Sequence, residues 1–234
     1  MENNFILSRL IKQLSSPEAF VGSVWQINLS HALEPTDGTI HFLSENEQAR
    51  AASISHVQSK QHFVLMRAAL RCLLSTHYLP SKNPNEIDIQ LTASGKPFIK
   101  DCPTIQFNLS HTGNIGLIAI STSHPSVGID IEVISDKRNL LGIAKHFFSA
   151  KEYNFYHENQ SPSSFYQIWT AKEAYVKCLG SGLSNQMQKI SNIPTDKGVF
   201  LTTVEAEKKP AISVNHMAVE NGYVASIAWL ETLN

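Results

Sequence analysis

Two stretches of this chain are built to one plan, and that repetition constrains the fold more than any other feature of the sequence. In the first, LSENEQAR (43–50) precedes FVLMRAALRCLL (63–74); in the second, FSAKEYNF (148–155) precedes IWTAKEAYVKCLG (168–180). Each opens with Ser-x-x-Glu, Ser44 with Glu47 and Ser149 with Glu152, the capping-box signature of a helix start. Each then reaches a longer amphipathic helix that ends in basic-Cys-Leu, 27 residues from Ser44 to Arg71 and 28 from Ser149 to Lys177. A strand-like segment leads each stretch, VWQINL (24–29) and VGIDIEV (127–133). The pattern predicts an α+β fold, a pseudo-dimer of two similar α+β halves, 1–122 and 123–234, joined near STSHPS (121–126) where Ser, Pro and Thr break the periodicity. Paired halves place the active site in the cleft between them. Chance likeness of two amphipathic helices is the alternative.

Between these landmarks the reading is coarser. IDIQLTASGKPFI (87–99) predicts strand, turn, strand, and IQFNLSHTGNIGLIAIS (105–121) predicts two strands around a His-Thr-Gly-Asn turn. The tail from about 198 to 231 reads as closing antiparallel strands. With 234 residues, 42% hydrophobic and 17% charged, the chain can bury a substantial core without disulfides or metal staples. Nineteen Lys+Arg against 20 Asp+Glu leave no global preference for nucleic acid or an anionic membrane, so any phosphate recognition is local. Three cysteines without a CxxC pair fit a reducing compartment. No secretory pattern opens the chain and no run approaches the roughly 20 apolar residues of a membrane helix, so a cytoplasmic protein is predicted.

The chemistry concentrates in the second stretch. In VGIDIE, Val127, Ile129 and Ile131 alternate with Gly128, Asp130 and Glu132, a strand with one dry face and two acids on the other. Acids at i and i+2 project to the same side and repel unless a positive charge lies between them, which makes Asp130 and Glu132 a hard-cation half-site or else a solvated strand face. On the helix predicted over 163–179, Trp169, Glu173 and Lys177 share a stripe at i, i+4, i+8, with Lys172 beside it. A mixture of Trp, Glu and Lys suits a cleft wall; an ordinary surface Glu–Lys pair beside a core tryptophan is the alternative. Three carboxylates with adjoining lysines suit phosphoryl transfer, because carboxylates leave coordination positions on Mg²⁺ for phosphate oxygens while ammonium groups neutralise the rest. Lys96 in SGKP and His111 in NLSHTG occupy turns where donors can meet an anion or simply meet water.

VGIDIE, FFSAKEY and WTAKEAYVKCLGSGLS, in this order and spacing, resemble the signature blocks of the Sfp-type 4′-phosphopantetheinyl transferase family, and GKP and NLSH upstream match two further blocks. The resemblance spans roughly residues 40 to 190. It implies transfer of the phosphopantetheine arm of coenzyme A to a serine of an acyl or peptidyl carrier protein, with release of adenosine 3′,5′-bisphosphate; size and paired halves predict a monomer. By the matching positions, Asp130, Glu132 and Glu173 hold Mg²⁺, with Mn²⁺ as a substitute. Asp130, Lys172 and Lys177 attend the diphosphate, while Lys96, Pro97, Ser110 and His111 hold the nucleotide end of coenzyme A. The first half would thus bind the nucleotide and the second would carry the metal and the transfer chemistry. Lys177 and Glu173 count among the catalytic groups; Glu152 matches a position discussed as the base, although its capping box already accounts for it, and Glu173 or a metal-bound water could serve instead. Many relatives carry several arginines before the first-half helix to take the 3′-phosphate; here Arg50, His56, Lys60 and His62 stand there, with Arg67 and Arg71 further along. A silent binding paralogue and a metal-dependent nucleotide phosphoesterase are the competing functions.

Overall fold

A computed structural model describes residues 7–30, 38–180, 187–195, 200–204 and 211–232. The end of the last signature block (181–184) and parts of the predicted tail strands lie outside these residues. After an opening strand β1 (Ile11–Leu14) come β2 (Ser23–Asn28), helices α1 (Glu45–Ser53) and α2 (Val57–His77), the short hairpin β3 (Ile89–Leu91) and β4 (Pro97–Ile99), and the hairpin β5 (Gln106–Thr112) and β6 (Ile115–Ser121). Then follow β7 (Val127–Val133), α3 (Leu140–Phe147), α4 (Ala150–Asn159), α5 (Pro162–Leu179), the short hairpin β8 (Ile190–Pro194) and β9 (Phe200–Val204), and the pair β10 (Ile212–Met217) and β11 (Tyr223–Leu230). The chain is α+β. One sheet has the order β1-β2-β6-β5 and the other β10-β11-β7, all antiparallel. In each, the last strand in sequence sits between its hairpin partner and the strand that precedes the helices.

Capping explains why the helices begin where they do. Glu47 accepts from the Ser44 backbone and Glu152 from the Ser149 backbone, the reciprocal half of each predicted capping box. Ser161 accepts from the Ser164 backbone ahead of Pro162, so α5 starts on a residue that has no N–H to leave unpaired. It ends at Gly180, which takes the left-handed conformation (φ 72°) that closes a helix at no steric cost. The predicted His-Thr-Gly-Asn turn is tighter than the sequence suggested. His111 and Thr112 lie inside β5, Thr112 pairs with Ile115, and only Gly113 (φ 52°) and Asn114 make the bend.

The apolar faces of the two sheets meet. Ile115, Leu117 and Ala119 of β6 pack with Val127, Ile129 and Ile131 of β7 and Ala225 and Ile227 of β11 in one buried cluster. At about 1.5–3 kcal/mol for each fully buried large aliphatic side chain, this shared core is a principal bond between the sheets. The first sheet's other face packs on α2 through Ile27, Ile118, Ile120, Leu65 and Ala69. Ala171, Ala174 and Cys178 of α5 pack with Ala228 of β11 on the second sheet's other face. Burial pushes the Cys72 thiol up to about 12 and Cys178 to about 11, so both behave as small apolar groups. Cys102 is half-buried.

Gly128 sets the distance between β7 and α5. A Cβ there would lie 2.1 Å from the Ala174 carbonyl oxygen and 2.4 Å from the Cys178 nitrogen, both backbone atoms of the helix that cannot turn aside. Gly128→Ala is expected to cost about 2–3 kcal/mol, read as a fall of several degrees in Tm, with loss of activity because α5 must lift from the strand.

Candidate active site

Close packing of α5 on β7 brings its polar stripe onto the acid-bearing face of the strand. Asp130 is 4% exposed. Its Oδ1 accepts from Ser110 Oγ at 2.8 Å and from Lys177 Nζ at 2.7 Å, while its Oδ2 is buried and has no hydrogen-bond partner among the described residues. The Lys177 ammonium also donates to Ser110 Oγ at 3.0 Å and to the Ile129 carbonyl at 3.2 Å. NLSH therefore serves as a bridge between strands: Asn108 Oδ1 accepts from the Ile129 N–H of β7 at 3.0 Å, and Ser110, two residues on, reaches Asp130. Period two puts these side chains on one face of β5. Asn108 was not picked out from the sequence, although its i, i+2 relation to Ser110 was visible there.

Glu173 lies one helical turn before Lys177 on α5 and feels the same acids. Burial and the negative charges of Asp130 and Glu132 push its carboxyl up to about 7, against the pull of Lys177. Burial and Asp130 also raise Glu132, while Arg138, Lys177 and a hydrogen bond from Trp169 draw it down. Three acids here feel one another, and each would release free energy on meeting a cation. Among the described residues, no three His, Cys, Asp or Glu side chains converge closely enough to hold a metal ion as they stand. The Lys177 ammonium already occupies one oxygen of Asp130. The donor chemistry nevertheless fits a hard divalent ion: the oxygens are carboxylate, one of them is buried without a partner, and the mutual repulsion of the acids favours added positive charge.

Other expected members of the site are placed differently. Lys172 and Glu152 form an ion pair at 2.6 Å in which both side chains are 0% exposed. Lys172 Nζ donates as well to the Ile190 carbonyl at 2.5 Å, and Glu152 accepts from the Ser149 and Asn192 N–H groups at 2.7 and 2.8 Å. Lys172 is thus bonded to Glu152 and the Ile190 carbonyl, and it is Lys177 that meets Asp130. The reason is helical geometry: Lys172 is about 100° round the helix from Glu173, so a helix that turns Glu173 to the acids turns Lys172 to α4. The first half repeats the bond. Glu47 accepts from Arg67, 20 residues on, as Glu152 does from Lys172, again 20 residues on. Arg71, 1% exposed, adds a bond to Glu47 at 2.5 Å and donates to the Pro84 and Ile87 carbonyls. Burial would raise the Glu47 carboxyl, but Arg67 and Arg71 hold it below the usual range. Arg67 and Arg71 thus brace the helix pair through Glu47, and Arg50 lies over the Phe63 ring at 5.3 Å.

His111 is exposed on β5 with its ring 5.8 Å from that of His62, which is buried and has no partner at Nε2 among the described residues. Pro97 opens β4, paired with Leu91. Lys96 projects from the β3–β4 turn, and its Nζ donates to Ser126 Oγ, the Val127 carbonyl and the Cys178 carbonyl at 2.5, 3.1 and 3.0 Å. No described helix is long and apolar enough to cross a membrane.

Comparison with known proteins gives a consistent result. A family model described as the 4′-phosphopantetheinyl transferase superfamily matches residues 126–228. The chain is 34% identical over 195 residues to the 4′-phosphopantetheinyl transferase gsp of Aneurinibacillus migulanus, covering 80% of this chain and 77% of that one. It is 31% identical over 161 residues to the 4′-phosphopantetheinyl transferase Sfp of Bacillus subtilis, covering 68% and 69%. It is 28% identical over 212 residues to the 4′-phosphopantetheinyl transferase HetI of a Nostoc species, covering 88% and 86%.

Proposed function

The chain belongs to the Sfp-type family of 4′-phosphopantetheinyl transferases, and on that premise we propose that it moves the phosphopantetheine arm of coenzyme A onto a serine hydroxyl of an apo acyl or peptidyl carrier protein, releasing adenosine 3′,5′-bisphosphate. The observation that carries this reading is the ion pair of Lys177 with Asp130, on the strand that also bears Glu132 and one helical turn from Glu173. Asp130, Glu132 and Glu173 would hold Mg²⁺ or Mn²⁺, which when bound supplies positive charge to the phosphate oxygens and a template for the displacement. Lys177, bonded to Asp130 and 28% exposed, adds a second positive charge at the same place. The serine oxygen forms a bond to the pantetheine-side phosphorus, and the bond from that phosphorus to the bridging oxygen breaks, leaving with the nucleotide. An anionic diphosphate repels a nucleophile, so fixed positive charge and in-line positioning account for most of the acceleration.

The serine proton needs an acceptor. Glu152 is enclosed by three donors, which favours Glu173, one helical turn from Lys177, as the acceptor. We also take the two sheets, with their matched strand order, as the duplicated halves 1–122 and 123–234 of a cytoplasmic monomer. The test is direct: incubation with coenzyme A, Mg²⁺ and a panel of apo carriers is expected to add one phosphopantetheine group to a carrier, read by intact mass. No gain on any carrier counts against the proposal, and release of AMP or inorganic phosphate without a carrier would mark a phosphoesterase.

A further inference from the structure

We propose that Lys96 is a positioning residue: from the first half of the chain it fastens the last turn of α5 to the start of β7, and so sets how Glu173 and Lys177 meet Asp130 and Glu132. An ammonium has three donors. All three of Lys96 are spent on oxygens of the second half, at Ser126, Val127 and Cys178. The Cys178 carbonyl belongs to the last turn of a helix, where carbonyls lack partners within the helix and the dipole leaves negative charge. Gly180 ends α5 immediately afterwards, so that carbonyl is served from outside by a cation 82 residues away. Ser126 Oγ donates to the same carbonyl at 2.5 Å, and the Cys178 thiol reaches back to the Ser126 carbonyl at 3.5 Å. Strand and helix are therefore tied twice over at this level.

The tie sits where position matters. Two residues along the strand from Ser126, Gly128 lets the helix backbone into contact. Two further on, Asp130 meets Lys177. A helix held at Cys178 and seated on Gly128 has little freedom to slide, which keeps the separation between the acids of strand and helix constant. The turn that presents Lys96 is itself built: Gly95 (φ 85°) donates to the Thr92 carbonyl, and the Lys96 N–H donates to Thr92 Oγ1 at 3.0 Å. With every donor used inside the protein, Lys96 keeps none for a nucleotide oxygen, so the strut takes the place of the nucleotide contact that the family resemblance implies.

The inference rests on the transfer reading above, and its test separates the two. Lys96→Met keeps the unbranched stem, without the terminal ammonium and its donors. Assayed well below Tm, it is expected to lower kcat about 10–100-fold, the scale of a misplacement near 1 Å, with KM for coenzyme A within about twofold. Amide hydrogen exchange should rise at residues 176–180. A side chain that only adds stability would lower Tm and leave kcat intact at that temperature. Ser126→Ala, a smaller cut in the same tie, should give a weaker loss in the same direction and carries the test if Lys96→Met does not fold, while the double variant should lose less than the two effects combined. A tenfold rise in KM for coenzyme A with kcat unchanged would make Lys96 a nucleotide ligand and overturn the proposal, as would unchanged kinetics and exchange in both variants. If the parent modifies no carrier, the transfer reading is what fails, and hydrogen exchange alone then decides whether the strut exists.

Discussion

Asp130→Asn is expected to lower kcat/KM for carrier modification by about 10³-fold or more while Tm stays within a few degrees of the parent. The amide keeps an oxygen where Oδ1 accepts from Ser110 and Lys177, so the local bonds that hold β5, β7 and α5 together survive. What disappears is the negative charge. If that charge helps to hold a divalent ion, several kcal/mol of transition-state stabilisation go with it, and each 1.36 kcal/mol is a factor of ten. Stability is not expected to follow closely, because the bonds to Ser110 and Lys177 are kept and the Lys177 side chain, 28% exposed, can be hydrated once its counter-charge is gone. Activity near the parental level with Mg²⁺ present would remove Asp130 from the mechanism. A large fall in Tm would show instead that Asp130 is mainly a structural acceptor for Lys177.

Lys172→Met should show the opposite pattern, a loss of about 3–5 kcal/mol in stability, roughly 10 °C or more in Tm, with kcat and KM for coenzyme A changed less than tenfold well below that Tm. Both members of the Lys172–Glu152 pair are 0% exposed, so removing the ammonium strands a buried carboxylate that has nothing but two N–H groups to face it. Adding Glu152→Gln should return part of the stability, since the neutral amide leaves no bare charge and keeps an acceptor for the Ser149 or Asn192 N–H. Denaturant unfolding and steady-state kinetics on the three proteins decide the matter. A raised KM for coenzyme A with an undisturbed Tm would return Lys172 to the cleft.

Much of the architecture was legible because it depends on local chemistry. Ser-x-x-Glu starts a helix wherever the chain can form one, since the bonds run between neighbours three residues apart, and both boxes form as their spacing predicts. Alternation in VGIDIE specifies a strand with one dry face for a similarly local reason: successive side chains must point opposite ways. The equal interval of 20 residues from Glu47 to Arg67 and from Glu152 to Lys172 was also present in the sequence. Read with the helical repeat, it would have set Lys172 apart from the stripe of Glu173 and Lys177.

Partner choice among charged side chains could not be read locally. The sequence by itself determined the elements, their amphipathic faces and the acid and basic groups available to a site. Tertiary structure alone decided that Lys177 meets Asp130 while Lys172 meets Glu152, and that Lys96 spans 82 residues to the end of α5. An ammonium on a flexible four-carbon stem binds whichever desolvated oxygens packing brings within reach, and only the folded chain determines which those are.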